Sequence, residues 1–245
     1  AACKNFAEDT DVLLIKTNDN GNQEYFRVFG GPHSEGNLRI KSVKDGYVVG
    51  GSTFSHLTDY EIFLLKLDLN LDSVWCAFYG SESMESCYDL KVTEDGGFII
   101  IGISGGDIYI VKADSCGYLQ WERTFETGGM DYGTSIDIIP DGGYIATGFT
   151  FDDNAYFIRL NSSGDSLWTK TIYDSGMQVI SSVIALDDGF IASGYNYQNT
   201  TTYEDIYVIR LDSNGDTLWT KTYINPDRPQ ASDIIQIDNG FYIIG

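Results

Sequence analysis

The chain has 245 residues, with 15 basic and 36 acidic side chains and a formal net charge of −21. The acids are scattered rather than gathered into a tail. Such a surface repels nucleic-acid phosphates and anionic membrane faces, since both are bound through basic patches. No apolar run approaches the roughly 18 residues of a membrane-spanning helix, so no transmembrane segment is expected. A domain of this size hides enough surface to form a core without disulfides.

In chain order, the first residues, Ala1-Ala2-Cys3-Lys4, resemble the end of a bacterial lipoprotein signal, in which small residues precede a lipidated cysteine. Two readings are open, a lipid anchor at Cys3 or a cloning or processing remnant. An apolar run follows, with Asp11 at its start and Lys16 five positions on, then a turn at Asn18 to Asn22 and an aromatic at Tyr25. From there a longer unit repeats. Its first element reaches an Asp-Gly turn at Asp45-Gly46-Tyr47. The second ends on Gly51, the third runs from Glu61 to Lys66, a turn covers Asp68 to Asp72, and the fourth carries Trp75.

The next copy has Asp95-Gly96-Gly97-Phe98, Gly102, the Asp107 and Lys112 pair, the turn from Asp114 to Tyr118, and Trp121. Another has Asp141-Gly142-Gly143-Tyr144, Gly148, Asn154 with Arg159, Asn161 to Asp165, and Trp168. The last full copy has Asp188-Gly189-Phe190, Gly194, Asp205 with Arg210, Asp212 to Asp216, and Trp219; a final piece holds Asn239-Gly240-Phe241 and Gly245. The glycines that end the second elements are 51, 46, 46 and 51 residues apart.

These runs are short, rich in Ile, Val, Tyr and Phe, and bounded by Gly, Asn and Asp, so they are predicted as strands. We name them a (before the Asp-Gly turn), b (after it), c (acid to base) and d (the aromatic run). Strand c is apolar at successive positions, as in Ile206-Tyr207-Val208-Ile209, so both its faces need cover. A radial array of sheets supplies that cover, and the more polar strand d suits the outer edge. The sequence therefore predicts an all-β, five-bladed β-propeller of four antiparallel strands per blade. Its single domain covers 1–245, with blades at about 11–29 plus 231–245, 37–79, 87–125, 134–173 and 180–223. The closure blade would join the N-terminal c and d strands to the C-terminal a and b strands. A fragment of a longer array is the competing reading.

The unit Asp-Gly-Gly-Phe/Tyr-Ile-x-x-Gly followed by Asp-Ile-Tyr-Val-Ile-Arg-Leu-Asp-Ser-Asn-Gly-Asp-Thr-Leu-Trp-Thr-Lys-Thr-Tyr resembles repeats of secreted bacterial and archaeal β-propeller proteins. Its best copy runs from Asp188 to Tyr223. The resemblance implies an extracellular or cell-surface location and a propeller fold. It carries over no catalytic residue, because the motif residues are framework.

Candidate sites follow from the topology. The a-to-b and c-to-d turns are short and share one end. At the other end the b-to-c loops vary, and those at Ser52 to Tyr60 and Tyr195 to Glu204 are long. That loop face contributes His33, His56, Tyr60, Tyr197, Tyr203 and Arg228 as binding candidates, and strand a contributes Arg39, Asp89, Ser135, Ser182 and Asp233 as the lining of a channel mouth. The recurrent Trp is expected to pack in the core and the strand-c acid and base to form structural ion pairs or hydrogen bonds. Asp212 to Asp216 resembles part of a calcium loop, which makes calcium the one candidate ion, but Asn and Gly at such positions also make tight turns. No cofactor and no other metal site is expected. Cys76 and Cys87 are placed at one end and form a candidate disulfide. Asn161-Ser162-Ser163 and Asn199-Thr200-Thr201 are glycosylation sequons.

The sequence thus predicts a non-catalytic surface module that binds a protein or a carbohydrate. Two alternatives stand beside it: a structural repeat of a larger assembly, and a polysaccharide-acting hydrolase or lyase that uses Asp89 and Asp233.

Overall fold

The computed structural model describes residues 11–31, 33–54, 60–81, 83–152, 154–174, 176–197, 204–224 and 230–245. It contains twenty strands, and every predicted a, b, c and d element is one of them. Strands β1 (Val12–Thr17) and β2 (Gln23–Phe29) form a two-stranded sheet. Four strands follow in one sheet: β3 (Glu35–Val43), β4 (Gly46–Thr53), β5 (Glu61–Leu67) and β6 (Ser73–Tyr79). The next sheet holds β7 (Glu85–Val92), β8 (Phe98–Ser104), β9 (Asp107–Ala113) and β10 (Leu119–Phe125).

Then come β11 (Tyr132–Ile138), β12 (Tyr144–Phe149), β13 (Ala155–Leu160) and β14 (Ser166–Ile172), followed by β15 (Met177–Leu186), β16 (Gly189–Tyr197), β17 (Glu204–Leu211) and β18 (Thr217–Tyr223). Strands β19 (Asp233–Ile237) and β20 (Gly240–Ile244) make a second two-stranded sheet. Each four-stranded sheet has the order a-b-c-d, and the strand pairs are antiparallel. The chain clusters into two compact units, residues 1–105 with 111–122 and residues 106–110 with 123–245.

Burial follows the sequence pattern. All seven residues of β5 are buried, as strand c's unbroken apolar run requires, whereas β18 is exposed along most of its length. In the first unit β7 packs against β3 and β4; in the second, β15 packs against β11 and β12, and β19 against β15 and β16. One core gathers Val12, Val49, Phe63 and Leu65; another gathers Phe157, Ile180, Phe190 and Tyr207.

The recurrent tryptophan links consecutive sheets. Trp75 meets Phe98 edge-on with ring centroids 5.9 Å apart, and Trp168 meets Phe190 in the same way. Each indole also lies beneath the glycine of the next c-to-d turn. A Cβ on Gly117 would come within 2.7 Å of the Trp75 ring, and one on Gly215 within 2.8 Å of Trp168. Both glycines are left-handed, with φ of 81° and 78°. At the equivalent of these glycines, the β5 to β6 turn carries Leu71, at a φ of 63° and 5% exposed. Its side chain fills the core with Val12 and Phe29, and the preceding strand d has Tyr25 in place of tryptophan.

The expected joining of the ends into one four-stranded sheet is not present: β1–β2 and β19–β20 are separate two-stranded sheets. Apolar side chains of the first strands are bare. Leu13 and Ile15 of β1 are 54% and 56% exposed, although their β5 equivalents, Phe63 and Leu65, are 4% and 1% exposed. Ile40 of β3 is 51% exposed, against 0% for its equivalents Leu90 and Ile136.

Gly142 and Gly215 separate conformational strain from packing. No atom lies within 4 Å of a Cβ on Gly142, whose φ is 86°. Gly142→Ala is expected to cost about 1 kcal/mol from the left-handed backbone alone. Gly215→Ala is expected to cost about 1–3 kcal/mol more through the clash with Trp168. Urea denaturation of the two variants measures the difference.

Candidate functional site

At the turn end, the base that closes strand c is buried: Lys66, Lys112, Arg159 and Arg210 are 6%, 3%, 7% and 7% exposed. Each pairs with the aspartate of the Asp-Gly turn rather than with the acid of its own strand, which lies at the opposite end. Lys66 Nζ is 3.0 Å from Asp45, Lys112 Nζ is 3.0 Å from Asp95, and Arg159 and Arg210 bind Asp141 and Asp188. The same cations donate to the carbonyls of Leu67, Ala113, Leu160 and Leu211. Lys66 beside Asp45 holds that carboxyl below its ordinary range. For Asp95, burial opposes ionisation, but hydrogen bonds from the Thr93 hydroxyl, the Gly97 N–H and Lys112 outweigh it and bring the carboxyl to about 2.

The c-to-d turns are stabilised by their first side chain. Asp212 Oδ1 accepts the N–H groups of Asn214 and Asp216, both at 2.9 Å, and Asn18, Asp68, Asp114 and Asn161 do the same in their turns. This is Asx-turn chemistry. Among the described residues no group of three or more His, Cys, Asp or Glu is arranged to hold a metal. The Asn161 side chain of the first sequon is engaged in its own turn and also donates to Asp165.

An open groove of about 480 Å³ lies at this turn end in the second unit, lined by Trp168, Phe190, Asp141, Arg159, Asp187 and Asn214 among others. The sequence reading placed binding at the other end and missed it. The groove arises where the Asp-Gly turn of one sheet meets the c-to-d turn of the next, a juxtaposition that no single repeat encodes.

At the loop end, the first unit carries an aromatic cluster. His33 meets Phe54 edge-on at 5.3 Å, and Phe54 meets Tyr60 at 5.3 Å. His33 is exposed and Tyr60 is 37% exposed. Phe54, at the centre of the cluster, falls in the long Ser52 to Tyr60 loop but was not among the sequence candidates. Tyr197, also 37% exposed, ends β16 in the second unit. His56, Tyr203, Arg228 and Cys3 lie outside the described residues.

The predicted inner row is on strand a throughout, and much of it ties neighbouring strands together. Ser182 Oγ donates to Asp233 Oδ1 at 2.8 Å, and Ser135 Oγ accepts the Val183 N–H at 3.3 Å. Asp89 and Asp233 each accept the N–H of the following residue. Arg39 is exposed and donates to the Leu38 carbonyl.

Cys76 and Cys87 are not joined in a disulfide, which corrects the expected bridge. Cys76 stands in the middle of outer strand β6, opposite Leu65, whereas Cys87 lies on inner strand β7 with its sulfur directed toward Gly50. Burial pushes the Cys87 thiol up to about 12.

In sequence, no family model and no curated protein matches the chain. Solved structures do match in fold. Sqt1 from Chaetomium thermophilum superposes with a TM-score of 0.57 at 13% identity over 92% of this chain and 56% of its own length. The C-terminal domain of Pseudomonas aeruginosa PilY1 gives 0.54 at 11% identity over 94% and 73%. A chain from Drosophila Plexin A in complex with Semaphorin 1b gives 0.51 at 9% identity over 84% and 44%. The fold is β-propeller-like. The chain spans little more than half the length of Sqt1 and less than half of the Drosophila chain. Among the described residues no helix is long and apolar enough to cross a membrane.

The Asp95 to Lys112 pair sets a pH dependence. A carboxyl lowered on folding contributes stability that is complete above its unfolded value and is lost as pH falls through the folded one. Asp95→Asn is therefore expected to cost about 1 kcal/mol near neutral pH, a figure reduced for solvent screening because the Asp95 side chain is 55% exposed. Its deficit against the wild type should shrink between about pH 4 and 2. Denaturation midpoints measured across that range test the sign.

Proposed function

We propose that the chain is a non-catalytic binding module, displayed outside the cell or on its surface, that meets a protein or glycan through its loop end. The observation that carries this reading is the His33, Phe54 and Tyr60 cluster. Aromatic side chains gathered at a solvent-facing loop end, on a scaffold of bonded strands, supply large contact area with polar tips and little entropy to lose on binding. The inner-row carboxylates support binding over hydrolysis, since Asp89 and Asp233 are both engaged in hydrogen bonds on their own strands.

The scaffold we propose is a five-bladed ring, in which the c and d strands β1–β2 and the a and b strands β19–β20 complete one sheet. The bare faces of Leu13, Ile15 and Ile40 support it, because covering them removes apolar surface from water. The same faces favour, as a second reading, a repeat within a larger surface assembly. Ile15→Cys with Ile243→Cys matches the register of Leu65 opposite Val49 in the complete sheet. Oxidation is expected to give a cross-link within one molecule; cross-linked dimers or polymers would favour assembly instead.

A glycan array and a screen against cell-surface proteins, each run with the intact chain, test the binding reading. Phe54→Ala and Tyr60→Ala are expected to weaken the captured partner at least about tenfold, or roughly 1.4 kcal/mol. Tyr118→Ala, on a turn-end residue that is 73% exposed, should leave binding unchanged. Equal losses in all three variants would sink the assignment of the loop end.

A further inference from the structure

Acidic side chains from strand c of one sheet and strand a of the next converge near the loop end. In the first unit Glu61 opens β5 and Glu85 opens β7, and they are 4% and 0% exposed. Backbone donors of β7 reach the preceding sheet here: the Glu85 N–H donates to the Tyr60 carbonyl at 2.9 Å, and the Cys87 N–H donates to the Ser52 hydroxyl of β4 at 3.0 Å. Glu85 Oε1 accepts from the Ser104 and Ser81 hydroxyls at 2.8 and 3.3 Å. Glu85 Oε2 is buried with no hydrogen-bond partner, and a Cβ on Gly80 would lie 2.3 Å from it. An earlier pair repeats the arrangement. Asp11 Oδ1, also buried without a partner, and Glu35 Oε2 both lie within 2.8 Å of the point a Gly30 Cβ would occupy.

An ionised oxygen buried without a donor is costly, whereas a protonated carboxyl oxygen is itself a donor. The fourth repeat shows which chemistry this position takes. Gln178, 0% exposed, stands where Glu85 stands. Its Oε1 accepts the N–H of Asp174, four residues back, as Glu35 accepts that of Gly31. Its Nε2 donates, to the Gly176 carbonyl. An amide is the neutral, donor-bearing counterpart of a protonated carboxyl.

We propose that Glu85 is held as a neutral carboxylic acid whose Oε2–H is directed to the Glu61 carboxylate, so that the β5 to β7 contact is a proton latch that loosens when this proton leaves. Deprotonation sends the proton to bulk water and leaves two buried carboxylates facing each other. Among the described residues, the groups near Glu85 include Glu61 from β5, the Ser81 and Ser104 hydroxyls and, one cross-strand step beyond Glu61 through Thr53, Glu35. Burial pushes the Glu85 carboxyl above its ordinary range, against the pull of the Ser104 and Ser81 hydrogen bonds, and the nearby Glu61 adds a smaller push in the same direction. In the second unit Asp107 is pushed up by burial, Glu126 and Asp131.

A carboxyl raised on folding gives stability that is full below its unfolded value and is lost as pH rises toward the folded one. Carbon-13 NMR of the glutamate δ-carbons, compared between wild type and Glu85→Gln, identifies the Glu85 resonance. It should sit at the protonated position where ordinary glutamates are ionised, and Glu61→Gln should move its titration back toward the ordinary range. Labelling of Cys87, measured against the exposed Cys116 of the same molecule, should accelerate by up to about tenfold per pH unit through that titration in the wild type. In Glu85→Gln it should stay flat. An ordinary Glu85 titration overturns the latch, as does a Glu85→Gln chain that fails to fold, because the amide is expected to replace the acid. A rise in melting temperature on adding calcium ion alone, seen in the wild type and absent in Glu85→Gln, overturns it in favour of a bound cation.

Discussion

A buried cation at the end of every complete strand c organises the turn end of each four-stranded sheet. Lys112 shows the geometry: its ammonium bonds the Asp95 carboxylate across the Asp-Gly turn and the Ala113 carbonyl beside it. Removing the aspartate would leave a buried ammonium without its counter-charge, whereas removing the lysine would leave Asp95 in contact with water, because its side chain is 55% exposed. The glycines of the turn follow from this contact. A Cβ on Gly97 would sit 2.6 Å from Lys112 Nζ, and one on Gly143 would strike the Arg159 guanidinium. The Asp-Gly-Gly-aromatic signature is thus the outline of a cation site as much as of a turn.

Much of the fold was legible because each strand's environment is written locally. Continuous apolar runs marked strand c, acid-to-base spacing marked its ends, and Asn or Asp at the start of each c-to-d turn marked the hairpins. What lay between sheets was not legible. The base was expected to form a structural ion pair or hydrogen bond, but spacing along strand c does not report that its partner comes from the turn between a and b. The strand-c acid turned out to lie near an acid of the following sheet, as Asp11 and Glu35 do at Gly30. Cys76 and Cys87 are eleven residues apart in the chain but belong to outer and inner strands of consecutive sheets, and nothing in their spacing reports that separation. The joining of the ends was inferred from strand inventory alone, and inventory carries no information about which ladders form.

The two ends of each sheet have different physics. At the turn end, side chains are consumed by the framework: carboxylates cap turns, cations bridge strands and indoles lie beneath glycines. At the loop end, aromatic side chains such as His33 and Tyr60 remain turned to solvent, and the acids buried behind them are only partly satisfied. A rigid base with a less settled rim is the arrangement in which surface chemistry can change without disturbing the core.

Leu71 shows how interchangeable the repeats are. Gly117 and Gly215 leave a socket that a tryptophan ring fills, whereas Leu71 fills its own socket and follows a strand that offers the smaller Tyr25. The repeats of Gly117 and Gly215 could trade places during gene duplication, because each offers the same hollow to an indole. The repeat that contains Leu71 is keyed to its predecessor, and a recombinant that set its turn over an indole would force two bulky groups into one space. Such a lock fixes where in the order of copies this repeat can stand.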